Sequence, residues 1–125
     1  MQDGKHLILL VDDDQDVLDT WRLVLEKNGY AMVEAHSAEE GLRLYKEHDV
    51  DLLVVDLMME EVDAGTGMVK ELRALGNKAP IYMLSSVGDG LSLLTDTAQL
   101  GLAGVLQKPV DSQILLTLLK AKLGG

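Results

Sequence analysis

Five short apolar runs recur along the chain, separated by helix-like segments, and this alternation constrains the fold more than any other feature. The runs are Leu7–Val11, Ala31–Ala35, Leu52–Val55, Ile81–Leu84 and Val105–Gln107. The first, third and fourth are almost continuously apolar, the pattern of strands covered on both faces. The second alternates more, carrying Glu34 and then His36, and suits a sheet edge. Helix signals fill the gaps. Asp14 can cap a first helix with a core stripe of Val17, Leu18, Trp21 and Leu25, closed by Asn28-Gly29. Ser37-Ala38-Glu39-Glu40 reads as a capping box opening a second helix that carries Leu42 and Tyr45. A third runs from Met68 to Leu75 and stops at Gly76. Leu91, Leu94 and Ala98 share a face in a fourth, whose start is crowded by Gly88 and Gly90. Asp111 caps a fifth, SQILLTLLKAKL, which is apolar over more than one stripe.

Strand-helix alternation with short connections implies parallel strands joined by right-handed crossovers. The expected architecture is α/β, a doubly wound (βα)5 sheet with helices on both faces. At 125 residues the chain is one domain, large enough for a single core. A net charge of −10 argues against a nucleic-acid surface, which needs a basic face. No apolar run approaches the ~20 residues that span a bilayer, and the polar start MQDGKH is no signal peptide. The absence of cysteine removes disulfides and thiolate metal sites and suits the cytoplasm.

In doubly wound sheets ligands bind outside the carboxyl ends of the strands. The first strand ends in Asp12-Asp13-Asp14, the third in Asp56, the fourth in Ser85-Ser86 and the fifth in Lys108-Pro109. Carboxylates, hydroxyls and an ammonium therefore converge on one edge. Two like charges ~4 Å apart cost about 4 kcal/mol at an effective dielectric of ~20, so something must offset the acidic run. A hard, oxygen-liganded cation such as Mg²⁺, or Mn²⁺ in its place, does so and keeps the acids ionised. Asp56, alone at a buried strand end, can act as a nucleophile towards phosphorus, with metal, lysine and hydroxyl neutralising the transferred group. The inventory is that of phosphoryl transfer.

These residues resemble the receiver domain of two-component response regulators, the CheY-like, flavodoxin-like fold, along essentially the whole chain. The family is the standing example of strand order 2-1-3-4-5, and that order is expected here by resemblance alone. The resemblance implies that Asp12 and Asp13 hold the metal, Asp13 directly and Asp12 through water. It makes Asp56 the phospho-accepting aspartate and Met58 the donor of a backbone carbonyl to the metal. Ser85 becomes the switch hydroxyl, Ser86 a neighbour offering its amide to the phosphate, and Lys108 the cationic partner, followed by a cis bond to Pro109. The implied donor is a sensor histidine kinase or a histidine phosphotransfer protein. The implied output is a change in the surface of the fourth helix, fifth strand and fifth helix, read by a downstream effector or an output domain not in this chain. A phosphorylation-dependent homodimer through that surface is compatible with it. The domain would catalyse only its own phosphorylation and dephosphorylation, with no separate substrate, nucleic acid or membrane.

Some residues depart from the family. Glu60 stands where a proline is usual, and the loop after Asp56 is slightly longer, with Gly65 and Gly67 just before the third helix. Val105 replaces the usual Tyr or Phe, so coupling through the fifth strand must differ. Val110 also stands where an aromatic is common, and the chain has no Phe. Two other readings remain: a receiver that no longer switches and serves as a docking module, and a small Mg²⁺-dependent phosphohydrolase. The second would need a further acid or base and a substrate-covering cap, for which there is no candidate. Asp14 reads as a helix cap, and His6, His36 and His48 as surface residues. The apolar set Leu115, Leu116, Leu118 and Leu119 reads mostly as packing against the sheet.

Overall fold

A computed structural model describes residues 4–56, 64–85, 102–107 and 110–123 of the chain. In chain order its elements are β1 (Leu7–Val11), α1 (Gln15–Lys27), β2 (Ala31–Ala35), α2 (Ala38–Glu47), β3 (Leu52–Asp56), α3 (Ala64–Ala74), β4 (Ile81–Ser85), β5 (Gly104–Gln107) and α4 (Ser112–Leu123). The strands form one parallel sheet in the order β2-β1-β3-β4-β5, as the resemblance implied. The helix expected around Leu91, Leu94 and Ala98 lies outside the described residues, as do Gly88 and Gly90. The C-terminal helix is therefore α4 here.

Every residue of β1, β3 and β4 is buried, which is why those runs show no alternation. Successive side chains instead divide between two cores. Ile8, Leu10, Leu52, Val54, Tyr82, Leu84 and Leu106 meet Leu18, Trp21 and Leu25 of α1 and Leu115 and Leu119 of α4. Leu9, Val11, Leu53, Val55, Ile81 and Met83 meet Met68, Val69 and Leu72 of α3, with Leu42 and Tyr45 of α2 partly buried beside them. Among the described residues, two helices thus cover each face. Strand β2, partly exposed, is the edge that its Glu34 suggested.

Both long turns are closed by chemistry legible in the sequence. Asp14 caps α1 by accepting from the Asp16 amide. Gly29, at φ 86, lets the Tyr30 amide donate back to the Leu25 carbonyl at 2.9 Å. Gly76, at φ 81, does the same after α3, where the Asn77 amide reaches the Leu72 carbonyl at 3.0 Å. Both are left-handed closures that favour glycine. Asp111 accepts from the Gln113 amide at 2.7 Å and starts α4.

Two boundary expectations change. Helix α3 begins at Ala64, so Gly65 and Gly67 lie inside its first turns, a position that costs about 1 kcal/mol per glycine rather than ending the helix. The α2 box is offset: Ser37 Oγ accepts from the Glu40 amide at 3.1 Å, but Glu40 Oε1 accepts from the His36 amide at 2.7 Å. The carboxylate reaches one residue further back than the usual reciprocal bond.

Gly41, the buried residue of α2, lies close against the sheet. A Cβ there would stand 2.9 Å from Val11 Cγ2 and 2.7 Å from Met68 Cε. Overpacking costs about 1–3 kcal/mol, more than the ~1 kcal/mol a better helix former returns. Gly41→Val should therefore lower the urea midpoint by the equivalent of roughly 2 kcal/mol; an unchanged midpoint would show that α2 is loosely seated.

Tyr30 places its hydroxyl in the first core, where it has no hydrogen-bond partner among the described residues, and burial raises its pKa above 10.0. An unmatched buried hydroxyl costs about 1–3 kcal/mol, so Tyr30→Phe should raise the midpoint at pH 7. The raised pKa means the neutral phenol is favoured in the native state. That contribution is full below pH 10.0, the ordinary tyrosine value, and is lost as pH rises through the native value. Chemical denaturation across pH 8 to 11 should show the Tyr30→Phe advantage widening; a constant gap would contradict a buried, neutral phenol.

Candidate functional site

Register brings the functional groups to one edge. Val11 pairs with Val55 across β1 and β3, so Asp12 leaves the sheet level with Asp56, the last residue of β3. Asp56 in turn pairs with Leu84, so Ser85 sits one residue further along β4. These three polar residues are buried: Asp12 is 0% exposed, Asp56 4% and Ser85 8%. They are the buried polar set among the described residues, and all three lie at carboxyl ends of strands.

Local hydrogen bonds fix the acidic run. The Asp12 amide donates to the Ala35 carbonyl at 3.0 Å, holding the end of β1 against β2. Asp12 Oδ1 accepts from the Asp14 amide at 2.9 Å, which turns the chain sharply into α1. That turn separates the three acids by role. Asp14 points into the helix start as its cap, whereas Asp13 is exposed beside Asp12.

Among the described residues, Asp12, Asp13 and Asp56 form the group that could hold a metal ion, each offering a carboxylate oxygen within 4.8 Å of the others. Oxygen ligands 2.0–2.6 Å from one cation lie at most ~4–5 Å apart, so the spacing fits. The donor set fits too, being all hard oxygen, and a cation would neutralise the two buried charges. Met58, Ser86, Lys108 and Pro109, which the sequence assigned to the same edge, lie outside the described residues, as does Glu60. Val105 is half-buried, paired with Met83 and packed against the second core.

One polar network beside this edge was not foreseen from the sequence. His36, read there as a surface residue, is exposed but not idle: its ring meets Glu40 Oε1 at 3.0 Å and Gln15 Oε1 at 2.7 Å. Gln15 donates onward to Glu34 at 2.9 Å and to Asp19 at 2.8 Å. Glu34 also receives the Arg22 guanidinium at 2.8 and 3.2 Å. The Gln15 hydrogen bond and then the Arg22 bond hold the Glu34 carboxyl below its ordinary range. The His36 amide does so for Glu40, against a smaller opposing effect of burial. The available signal was the charged pair on an edge strand between two helix starts.

Comparison with known proteins places these residues in context. Residues 8–120 match the profile of the response regulator receiver domain. The chain is 37% identical over 108 residues to the transcriptional regulatory protein GlrR of Escherichia coli, covering 86% of this chain but 24% of that protein. It is 34% identical over 112 residues to the chemotaxis protein CheY of Bacillus subtilis, covering 89% of this chain and 92% of that one. The chain thus spans about a quarter of the length of one relative and nearly all of the other. Among solved structures, the CheY-like receiver domain protein of Methanospirillum hungatei superposes with a TM-score of 0.88 at 27% identity, covering 97% and 95% of the two chains. Vibrio cholerae CheY4 gives 0.86 at 25%, covering 95% and 99%. With this profile match, these relatives and a CheY-like sheet order, the chain belongs to the response regulator receiver domain family of two-component signalling.

Proposed function

We propose that the chain is a single receiver unit that accepts a phosphoryl group on Asp56 from a histidine kinase or histidine phosphotransfer protein. The observation that supports this most is the gathering of Asp12, Asp13 and Asp56 within 4.8 Å at the sheet's carboxyl edge. Asp56 brings a nucleophilic oxygen, held at the end of a fully buried strand, to a phosphorus approaching from solvent. Asp12 and Asp13, with Asp56 and the Met58 carbonyl, are assigned to Mg²⁺ or Mn²⁺. That ion, when bound, would supply charge neutralisation and polarisation of phosphoryl oxygens. Ser85, one residue past the strand partner of Asp56, would donate its hydroxyl to the modified side chain. Lys108 would pair with the phosphate charge, Ser86 offer its amide, and a cis Pro109 hold the end of the fifth strand.

The acyl phosphate would then bias a two-state surface formed by the helix expected around Leu91, Leu94 and Ala98, β5 and α4, read by a cytoplasmic effector or an attached output domain. GlrR and the mycobacterial response regulator MprA are longer than the part this chain matches, 24% and 49% of their lengths. That supports an attached output domain, whereas the Bacillus subtilis CheY, matched over 92% of its length, supports a separate effector. No nucleic acid or membrane contact is assigned to the domain, and among the described residues no helix is long and apolar enough to cross a membrane.

A second reading rests on Val105. An aliphatic residue packed against Met83 has no ring to swing inward, which favours a fixed docking module. Two measurements separate the readings. Intact-mass analysis after incubation with acetyl phosphate and Mg²⁺ should show one added phosphoryl group in the wild type and none in Asp56→Asn; equal labelling of both would remove Asp56 as acceptor. Titration of Mg²⁺ against the fluorescence of Trp21, buried in α1, should show Asp13→Ala weakening the ion by at least ~10-fold, about 1.4 kcal/mol. Unchanged affinity in Asp13→Ala would favour the docking module.

A further inference from the structure

The outer edge of β2 is the part of the sheet best placed to meet another strand. The Ala31 amide donates to the His6 carbonyl and the Ala35 carbonyl accepts from Asp12, so residues 31, 33 and 35 turn their backbone groups towards β1. By alternation, Met32, Glu34 and His36 turn theirs outward. An outward row of this kind is a template for strand pairing unless something covers it.

Side chains from two helices take two of these groups. Arg22 of α1 donates to the Met32 carbonyl at 3.3 Å while its fork grips Glu34 Oε1 at 2.8 and 3.2 Å. Glu40 of α2 takes the outward amide of His36 at 2.7 Å. Arg22 and Glu34 are each only partly exposed, at 34% and 23% of their side chains, and Gln15 holds Glu34 from its other side. A planar guanidinium suits this task because one fork can serve a carboxylate and a carbonyl together.

We propose that Arg22 and Glu40 bar the edge of β2 from pairing with a second copy of this chain. The second copy is the matched occupant because the edge complements itself. An antiparallel two-fold pair centred on Val33 sets the outward groups of Met32 opposite those of Glu34, so each donor meets an acceptor. The strand AMVEA carries one charge, Glu34, and Arg22 neutralises it in place. Losing Arg22 frees the Met32 carbonyl and the fork's space together.

Arg22→Ala tests this by sedimentation across a concentration series, at raised ionic strength so that repulsion between the two Glu34 carboxylates is screened. The wild type should stay at the 13.6 kDa of one chain, and the variant should rise towards twice that mass with concentration. In the associated variant, the Met32 and Glu34 amides should become protected from hydrogen exchange. Adding Glu34→Pro, which removes an outward amide and leaves the β1 ladder intact, should return the variant to one chain. Arg22→Lys keeps the charge and the helix but loses the fork, and should associate through the same amides more weakly. A folded Arg22→Ala that remains a single chain at every concentration would overturn the proposal. So would association that leaves the Met32 and Glu34 amides exchanging freely, or a wild type that itself pairs there.

Discussion

The mutual repulsion of three carboxylates at the carboxyl edge of the sheet is the constraint from which the site follows. Asp12, Asp13 and Asp56 offer oxygens within 4.8 Å of one another, and two of the three residues are buried. At an effective dielectric of ~20, each such pair costs about 3–4 kcal/mol when both members are charged. The fold does not relieve this by spreading the acids apart. The Asp12 carboxylate is turned to accept the Asp14 amide, and Asp12's own amide is tied to β2. Asp56 is fixed by the ladder of β3. A rigid anionic cup of this kind gains most from whatever positive charge enters it, and that is the physical basis for reading it as a cation and phosphoryl site.

That rigidity comes from the two cores. Because β1, β3 and β4 are buried on both faces, a shift of one residue in any of them would exchange the side chains that meet α1 and α4 with those that meet α2 and α3. Register is therefore strongly specified, and with it the alignment of Asp12, Asp56 and Ser85. Small residues matter where helices come nearest. Gly41 lets α2 lie against Val11, immediately before the acidic run, so packing on the second face bears on the position of Asp12. The edge strand obeys a different logic. It is paired with β1 on one side only, and side chains of α1 and α2 bond to groups on its outer side.

Much of this was legible in the residues. The bounds of β1 and β2 match their apolar runs, and the other strands differ by one residue at an end, because Asp56, Ser85 and Gly104 belong to strands although their polarity or small size argued otherwise. The order of the sheet was not legible from alternation alone, which permits several orders, and rested on family resemblance. The acidic group was readable because chemistry of one type recurred at successive strand ends. The start of α3 was misjudged because Gly65 and Gly67 read as breakers, although helical hydrogen bonding tolerates them. The network of Gln15, Arg22, Glu34, His36 and Glu40 was missed for another reason. Its hydrogen-bonded partners are 4 to 21 residues apart, on α1, β2, α2 and the turn after β2, and only the folded register brings them together.

The central claim is that the carboxylate group and Asp56 form one phosphoryl-accepting centre, and binding of beryllofluoride, a phosphoryl mimic for aspartate, tests it most directly. Amide NMR spectra of the wild type should shift on adding the mimic with Mg²⁺ present, with the largest changes at Asp12, Asp13, Asp56 and Ser85. They should not shift when the ion is withheld, nor in Asp56→Asn. Spectra that stay unchanged with both ion and mimic present, or shifts centred away from these four residues, would contradict the account.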